Sequence, residues 1–209
     1  AGVVAVELDR EMMPHLEAVC LAFPNVEILP GDILGVDITS LARGRTVKVM
    51  GNIPYGITGP IIFKLIGERR SIEGAYLTVQ KEIGERMTAN PGTRAYGSLS
   101  VASQLVADVK VLMHIRAHVF IPPPKVDSIY LAMRFRGDAY DVDDTLLSFI
   151  RQAFSHKRKF MRRALLEVFT DAEVETLYEE MDFPRSVRAE TLEPRTFRRM
   201  YEVLKKTRE

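Results

Sequence analysis

The run Asn52-Ile53-Pro54-Tyr55-Gly56-Ile57-Thr58-Gly59-Pro60 puts an amide, a proline and a phenol ring directly after the apolar stretch 46–50. That stretch predicts a buried strand, so these residues fall at a strand's carboxyl end, where open α/β sheets bind their ligands. The Asn52 side chain offers a carbonyl oxygen and an amide. Proline has no N–H, which frees the carbonyl of Pro54 or of its neighbour from ladder pairing. Two acceptors converging beside an aromatic ring suit a planar amine held by its hydrogens and stacked on its face, as a nucleobase is. Read bare, the same residues also describe a turn into a helix whose first residue is Pro60. Gly51 and Gly56 would leave room for a small substituent on the amine.

Other residues with chemical potential carry less. His114 and His118 are four apart, but HIRAH lacks the intervening glutamate of a zinc-protease helix and falls on a predicted strand and loop, so no metal site is read there. No serine or cysteine nucleophile has a partner legible in the sequence. The single cysteine, Cys20, cannot form an internal disulfide, which fits a reducing, cytoplasmic setting. Net charge is +1, yet Lys157, Arg158, Lys159, Arg162 and Arg163 fall together without an acid among them. Arg195, Arg198, Arg199, Lys205 and Lys206 form a looser second set. Phe160, Ala164 and Leu165 give the first run an inward side, leaving Lys157, Arg158, Arg162 and Arg163 as a stripe at helical spacing. Phosphate binding is the preferred reading of that stripe over a solvated face.

The elements that must position these residues change character along the chain. With 209 residues, 46% apolar and 27% charged, it can bury one core and a small second domain. No run of ~18 apolar residues could span a bilayer, and the start AGVVAVELD lacks the basic flank of a signal peptide. Strands are predicted at 3–8, 26–29, 47–50, 75–79, 109–115 and 129–135, with helices at 11–23, 60–67, 81–89 and 99–107 between them. Such alternation gives a mainly parallel sheet covered by helices, the last two strands pairing antiparallel at its edge. Beyond Gly137 only helical periods remain, at 143–154, 158–169, 172–181 and 194–205, with Thr170-Asp171 and Thr191 as expected caps. The expected domains are therefore 1–137 and 138–209.

A series of stretches, in order and sensibly spaced, resembles the KsgA/Dim family of small-subunit rRNA adenine dimethyltransferases. They are VELD at 6–9, GDIL at 31–34, NIPYGIT at 52–58, QKEIGERM at 80–87, PGTRAYGSLSV at 91–101, VFIPPPKVDS at 119–128, FSHKRKFMRRAL at 154–165 and RAETL at 188–192. The resemblance implies an α/β fold, a Rossmann-like class I methyltransferase sheet with a small C-terminal all-helical, RNA-binding domain. It implies S-adenosylmethionine as cofactor, and small-subunit rRNA or the pre-ribosomal small subunit as partner, with no membrane involvement and a monomeric state.

Residue by residue, Glu7 resembles the carboxylate that accepts from both ribose hydroxyls of the cofactor. Asp32 resembles the acid that accepts from its adenine amine, with the Ile33 backbone and the Leu8 side chain against the ring. Without the resemblance, these acids read as a surface carboxylate and a turn cap. Asn52 belongs to the cofactor site and also, with the Pro54 carbonyl, holds the target adenine amine. The resemblance implies that Tyr55 stacks on that base and that Phe120 covers its other face; Phe120 alone also reads as core, but the adjoining Pro122-Pro123-Pro124, an exposed extended segment, argues for a rim position. Lys157, Arg158, Lys159, Arg162 and Arg163 are the implied RNA grip.

Family members begin with a strand and a G-x-G-x-G loop that this sequence does not show. The expectation is of a truncated form with weak cofactor binding, and with unpaired backbone and an exposed apolar seam beside 3–8 and its missing neighbour. A large-subunit dimethyltransferase of the macrolide-resistance type, and a noncatalytic RNA-binding assembly or transcription factor on the same fold, are the alternative functions.

Overall fold

The computed structural model describes residues 1–137, 142–156 and 159–208. Residues 1–45 form one compact unit. Within it β1 (Val3–Glu7) and β2 (Val26–Pro30) pair in parallel, Val3 opposite Val26 and Glu7 opposite Pro30. The crossover is α1 (Met13–Cys20), which carries Pro14 in its first turn, where a missing N–H costs no helical bond. A second helix, α2 (Ile38–Ala42), has Asp37 as its cap, the carboxylate accepting from Ser40 N at 3.0 Å. No helix is read there from the sequence, because so short a segment cannot display a helical period.

Residues 46–209 form the second unit. β3 (Val47–Asn52) pairs in parallel with β4 (Ile72–Gln80) through the crossover helix α3 (Thr58–Gly67). After α4 (Lys81–Met87) and α5 (Ser98–Val106), the chain returns in β5 (Ala107–Ile115) and β6 (Ser128–Phe135). The strand order is β3-β4-β6-β5, with β6 antiparallel to both neighbours. The expected antiparallel pair is present, but β6 lies inside the sheet and only β5 at its edge. Burial explains the order: Ile129, Leu131, Met133 and Ala132 of β6 are all buried, whereas Val111, Leu112 and Met113 of β5 stay exposed. Among the described residues β1 pairs only with β2, and β3 only with β4, so each keeps one unpaired edge.

The same unit holds the later helices α6 (Asp144–Ala153), α7 (Met161–Leu165), α8 (Asp171–Glu180) and α9 (Pro194–Lys206). The boundary drawn at 137/138 falls inside this unit, beside residues 138–141, which lie outside the described ones. Several contacts bind its two ends. Gly92 N donates to Glu190 O at 2.7 Å and Tyr96 Oη to Leu192 O at 2.8 Å, so PGTRAYGSLSV and RAETL are bonded to each other. Gly92 needs its φ of 82° to make that turn. The Tyr96 ring meets Phe154 edge-on, and Phe154 stacks on Phe197 at 5.4 Å.

Thr170 caps α8 as expected, in a reciprocal box with Glu173. Thr191 does not cap α9; its hydroxyl donates to Arg188 O, and the helix opens on Glu193 and Pro194 instead. The helix predicted at 158–169 is reduced to α7, which starts at Met161. Lys159 lies before its N-cap, Phe160, while Arg162 and Arg163 fall inside its first turn.

Candidate active site

In the first unit, Glu7 closes β1 half-buried; its Oε1 accepts from Asp9 N at 2.8 Å and its carbonyl from Gly31 N at 2.8 Å. Asp32 follows β2, with Oδ1 accepting from Leu34 N at 2.9 Å. Both carboxylates thus fix local turns through one oxygen. The second oxygen of each has no hydrogen-bond partner among the described residues and can accept from a ligand. Leu8 is exposed and Ile33 partly so. An open, largely apolar cleft of about 520 Å³ is lined by Leu29, Gly31, Asp32, Val36, Ser40 and Leu41 among others. An apolar wall carrying a free carboxylate oxygen suits a flat heterocycle with an amine at its edge, so these residues fit an adenine-bearing cofactor.

In the second unit, Asn52 ends β3 opposite Thr78, exposed, and its amide is unpartnered among the described residues. Ile53 N still bonds Thr78 O at 2.9 Å; the chain then leaves the sheet at Pro54, and a 3-10 turn over Tyr55–Ile57 leads into α3. The Pro54 carbonyl is not free as the sequence suggests. It accepts from Ile57 N and from Thr58 Oγ1, each at 3.2 Å, because proline's exit from the ladder starts a turn whose donors point back at it. Thr58 Oγ1 also lies 3.4 Å from Tyr55 O, giving the hydroxyl a second acceptor.

The Tyr55 ring is half-buried, and its hydroxyl is bonded to Ser128 Oγ at 2.8 Å. Gly56 is exposed and leaves open space where a side chain would stand; Gly51 instead makes way for Ile53 Cδ1, 3.1 Å from where its Cβ would be. Phe120 is half-buried and follows a 3-10 turn over Ala117–Val119, its N–H donating to Ala117 O at 3.2 Å. Ile121, next to it, is fully exposed, so the segment is a rim and not core.

Of the basic run, Lys157 and Arg158 lie outside the described residues. Lys159 and Arg163 are exposed, and neither side chain makes a hydrogen bond or ion pair among the described residues, although, after the hydrogen bond with His156, the Arg163 charge helps hold the Glu167 carboxyl below its ordinary range. Arg162 departs from the expected stripe: its guanidinium is bonded to Glu175 and to Asp171, each at 2.7 Å, and these bonds hold its pKa above the usual arginine value. Two carboxylates neutralise it, so it braces α7 against α8 and does not project toward phosphates. Sequence reasoning also missed Asp127 and Ser128. Both lie within VFIPPPKVDS, but nothing in the residue types reveals what they touch.

A solved dimethyladenosine transferase from Plasmodium falciparum superposes with a TM-score of 0.83 at 26% identity, covering 98% of this chain and 82% of that one. The 23S rRNA methyltransferase ErmE shares the fold, with a TM-score of 0.67 at 22% identity over 98% of this chain and 82% of its own. The fold is therefore that of the Rossmann-like class I methyltransferases with C-terminal helices. The profile of the family described as ribosomal RNA adenine dimethylase matches residues 1–206. The chain belongs to that family. Its relatives include ribosomal RNA small subunit methyltransferase A of Alkaliphilus oremlandii, 37% identical over 78% of this chain, and that of Shouchella clausii, 33% identical over 98% of this chain and 73% of its own. The chain spans 60% of the length of the Alkaliphilus protein.

Proposed function

We propose that the chain is part of an enzyme that dimethylates N6 of adenines in small-subunit rRNA, with S-adenosylmethionine as methyl donor. The observation that carries the proposal is an Asn52 amide at a strand end, unpartnered among the described residues, followed three residues on by a Tyr55 ring fixed through its hydroxyl. Family membership and the names of the relatives support the substrate class.

The donor, when bound, supplies an electrophilic methyl on a sulfonium sulfur. Asn52 Oδ1 and the Pro54 carbonyl accept from the adenine amine, raising electron density on a nitrogen whose lone pair is otherwise delocalised into the ring. For Pro54 to accept, Thr58 Oγ1 turns to Tyr55 O, which releases one lone-pair direction. Tyr55 and Phe120 hold the base by its faces, and alignment with charge stabilisation performs the catalysis without a general base. The excess proton leaves to solvent after transfer, and the open space at Gly56 admits the first methyl before the second is added. Within the first unit, Glu7, Leu8, Asp32 and Ile33 hold the cofactor. The part after 137, with Lys159 and Arg163 and the undescribed Lys157 and Arg158, grips RNA phosphates away from the reacting base. We place the enzyme in the cytoplasm, as a monomer on the pre-ribosomal small subunit; among the described residues no helix is long and apolar enough to cross a membrane.

The test is methyl transfer by the full-length gene product from labelled cofactor to isolated small-subunit particles and to large-subunit RNA. Label is expected in the former only. Tyr55→Ala should lower methylation by roughly 5- to 150-fold, the value of ~1–3 kcal/mol of lost stacking, and leave cofactor affinity unchanged. Label in large-subunit RNA alone, RNA binding without transfer, or equal losses of methylation and cofactor binding would refute the assignment.

A further inference from the structure

We propose that Asp127 and Ser128 are positioning residues that hold the two aromatic side chains of the base site, Tyr55 through its hydroxyl and Phe120 through the turn that carries it. The inference rests on the methyl-transfer reading above, and extends it to residues that touch neither base nor cofactor.

The juxtaposition is direct. Ser128, fully buried as the first residue of β6, bonds Tyr55 Oη at 2.8 Å across a separation of 73 residues in sequence. Asp127 Oδ1 accepts from Ala117 N at 3.0 Å, and Oδ2 from Arg116 Nη1 at 3.2 Å. Ala117 opens the 3-10 turn whose carbonyl receives Phe120 N. The Ala117 N–H above all, aided by Arg116, holds the Asp127 carboxyl below its ordinary range, so it stays an acceptor across neutral pH.

The platform is itself fixed. Asp127 O accepts from Lys81 N at 2.9 Å at the start of α4, and the next residue, Ile129, packs where a side chain on Gly84 would stand. One rigid strand start therefore sets the direction of a ring at 55 and the path of the backbone leading to 120.

A phenol ring tethered only at Cα sweeps several rotamers, and a base stacking on it would have to freeze them. Tethered at its far end as well, the ring is ordered before the base arrives, and that ordering cost no longer opposes stacking. A hydroxyl pair that served stability alone would not alter turnover.

The experiment is a double-mutant cycle on the full-length gene product with Ser128→Ala, Tyr55→Phe and the pair, measuring kcat, KM for the RNA, cofactor affinity and the unfolding midpoint. Each single variant is expected to lower kcat by roughly two- to tenfold, the worth of one neutral hydrogen bond, with cofactor affinity unchanged. The pair should be no slower than the slower single, since the bond is lost only once. Should Ser128→Ala fail to fold, Tyr55→Phe removes the same bond from the accessible side. Asp127→Ala should also lower kcat, and Asp127→Asn, which keeps an acceptor for Ala117 N, should restore most of it. Single variants with wild-type kcat, losses that multiply in the pair, or an Asp127→Asn no better than Asp127→Ala would overturn the inference alone. A wild-type protein without methyl transfer would overturn the proposed function and this role with it.

Discussion

Gly84 is a position where one added methyl group should cost more than its size suggests. It lies in the middle of α4, where alanine would ordinarily be better than glycine by about 1 kcal/mol. In this fold a Cβ at residue 84 would stand 3.1 Å from each of three Ile129 side-chain atoms, Cβ, Cγ2 and Cδ1. Ile129 cannot move aside. It is fully buried and its strand is bonded on both edges, to β4 through Val79 and to β5 through His114. Overpacking of a closed core costs about 1–3 kcal/mol, and contact on both branches of an immobile isoleucine places this site in the upper half. After subtraction of the helical gain, Gly84→Ala should lose about 1–2 kcal/mol. At a urea slope of about 2 kcal/mol/M, the unfolding midpoint should fall by about 0.5–1 M. Gly56→Ala, with nothing within 4 Å of the new carbon, serves as control and should leave the midpoint nearly in place. An unchanged or raised midpoint for Gly84→Ala would show that α4 can lift from the sheet, and would refute the rigid-platform argument for the residues next to Ile129.

Arg163→Ala or Lys159→Ala should weaken RNA binding about equally across sequences and reduce the salt slope by about 1 each, whereas Arg162→Ala, already neutralised by Asp171 and Glu175, should lower the unfolding midpoint and leave that slope unchanged. A lost slope in Arg162→Ala would restore it to the phosphate grip. Glu173, bonded to Arg208 and to Thr170, is held at about 2, well below the ordinary 4.5. Because its folded value is depressed, its contribution is complete above the ordinary value and disappears as pH falls through about 2. Urea midpoints at about pH 5 and about pH 3 should therefore differ more for wild type than for Glu173→Gln; equal differences would refute the linkage.

The elements with long, regular patterns were legible. The alternation of apolar runs and amphipathic segments up to residue 137 marks each described strand, and Thr170 followed by Glu173 marks the start of α8, since both signals depend on neighbours in sequence. α2 was not legible, being too short for a period, and neither was the shortening of the helix predicted at 158–169, since its apolar spacing runs on through Val168 and Phe169 past the point where α7 ends. At the site, Asn52-Ile53-Pro54-Tyr55 was readable because a strand end, a missing N–H and an aromatic ring are local facts.

What the sequence determined by itself is therefore the residue chemistry and the class of fold: an amide and a phenol after a strand, acids after two others, and helices in the last third. Only tertiary structure decided which of these groups remain available. Arg162 and Arg163 are indistinguishable as letters, yet two carboxylates from α8 bind one and leave the other exposed. Pro54 frees itself from the ladder and is met by Thr58, and Ser128, 73 residues away, meets the Tyr55 hydroxyl. Periodicity reports which face a side chain occupies, but a hydrogen bond needs a partner within about 3 Å, and which partner arrives depends on where distant strands are placed.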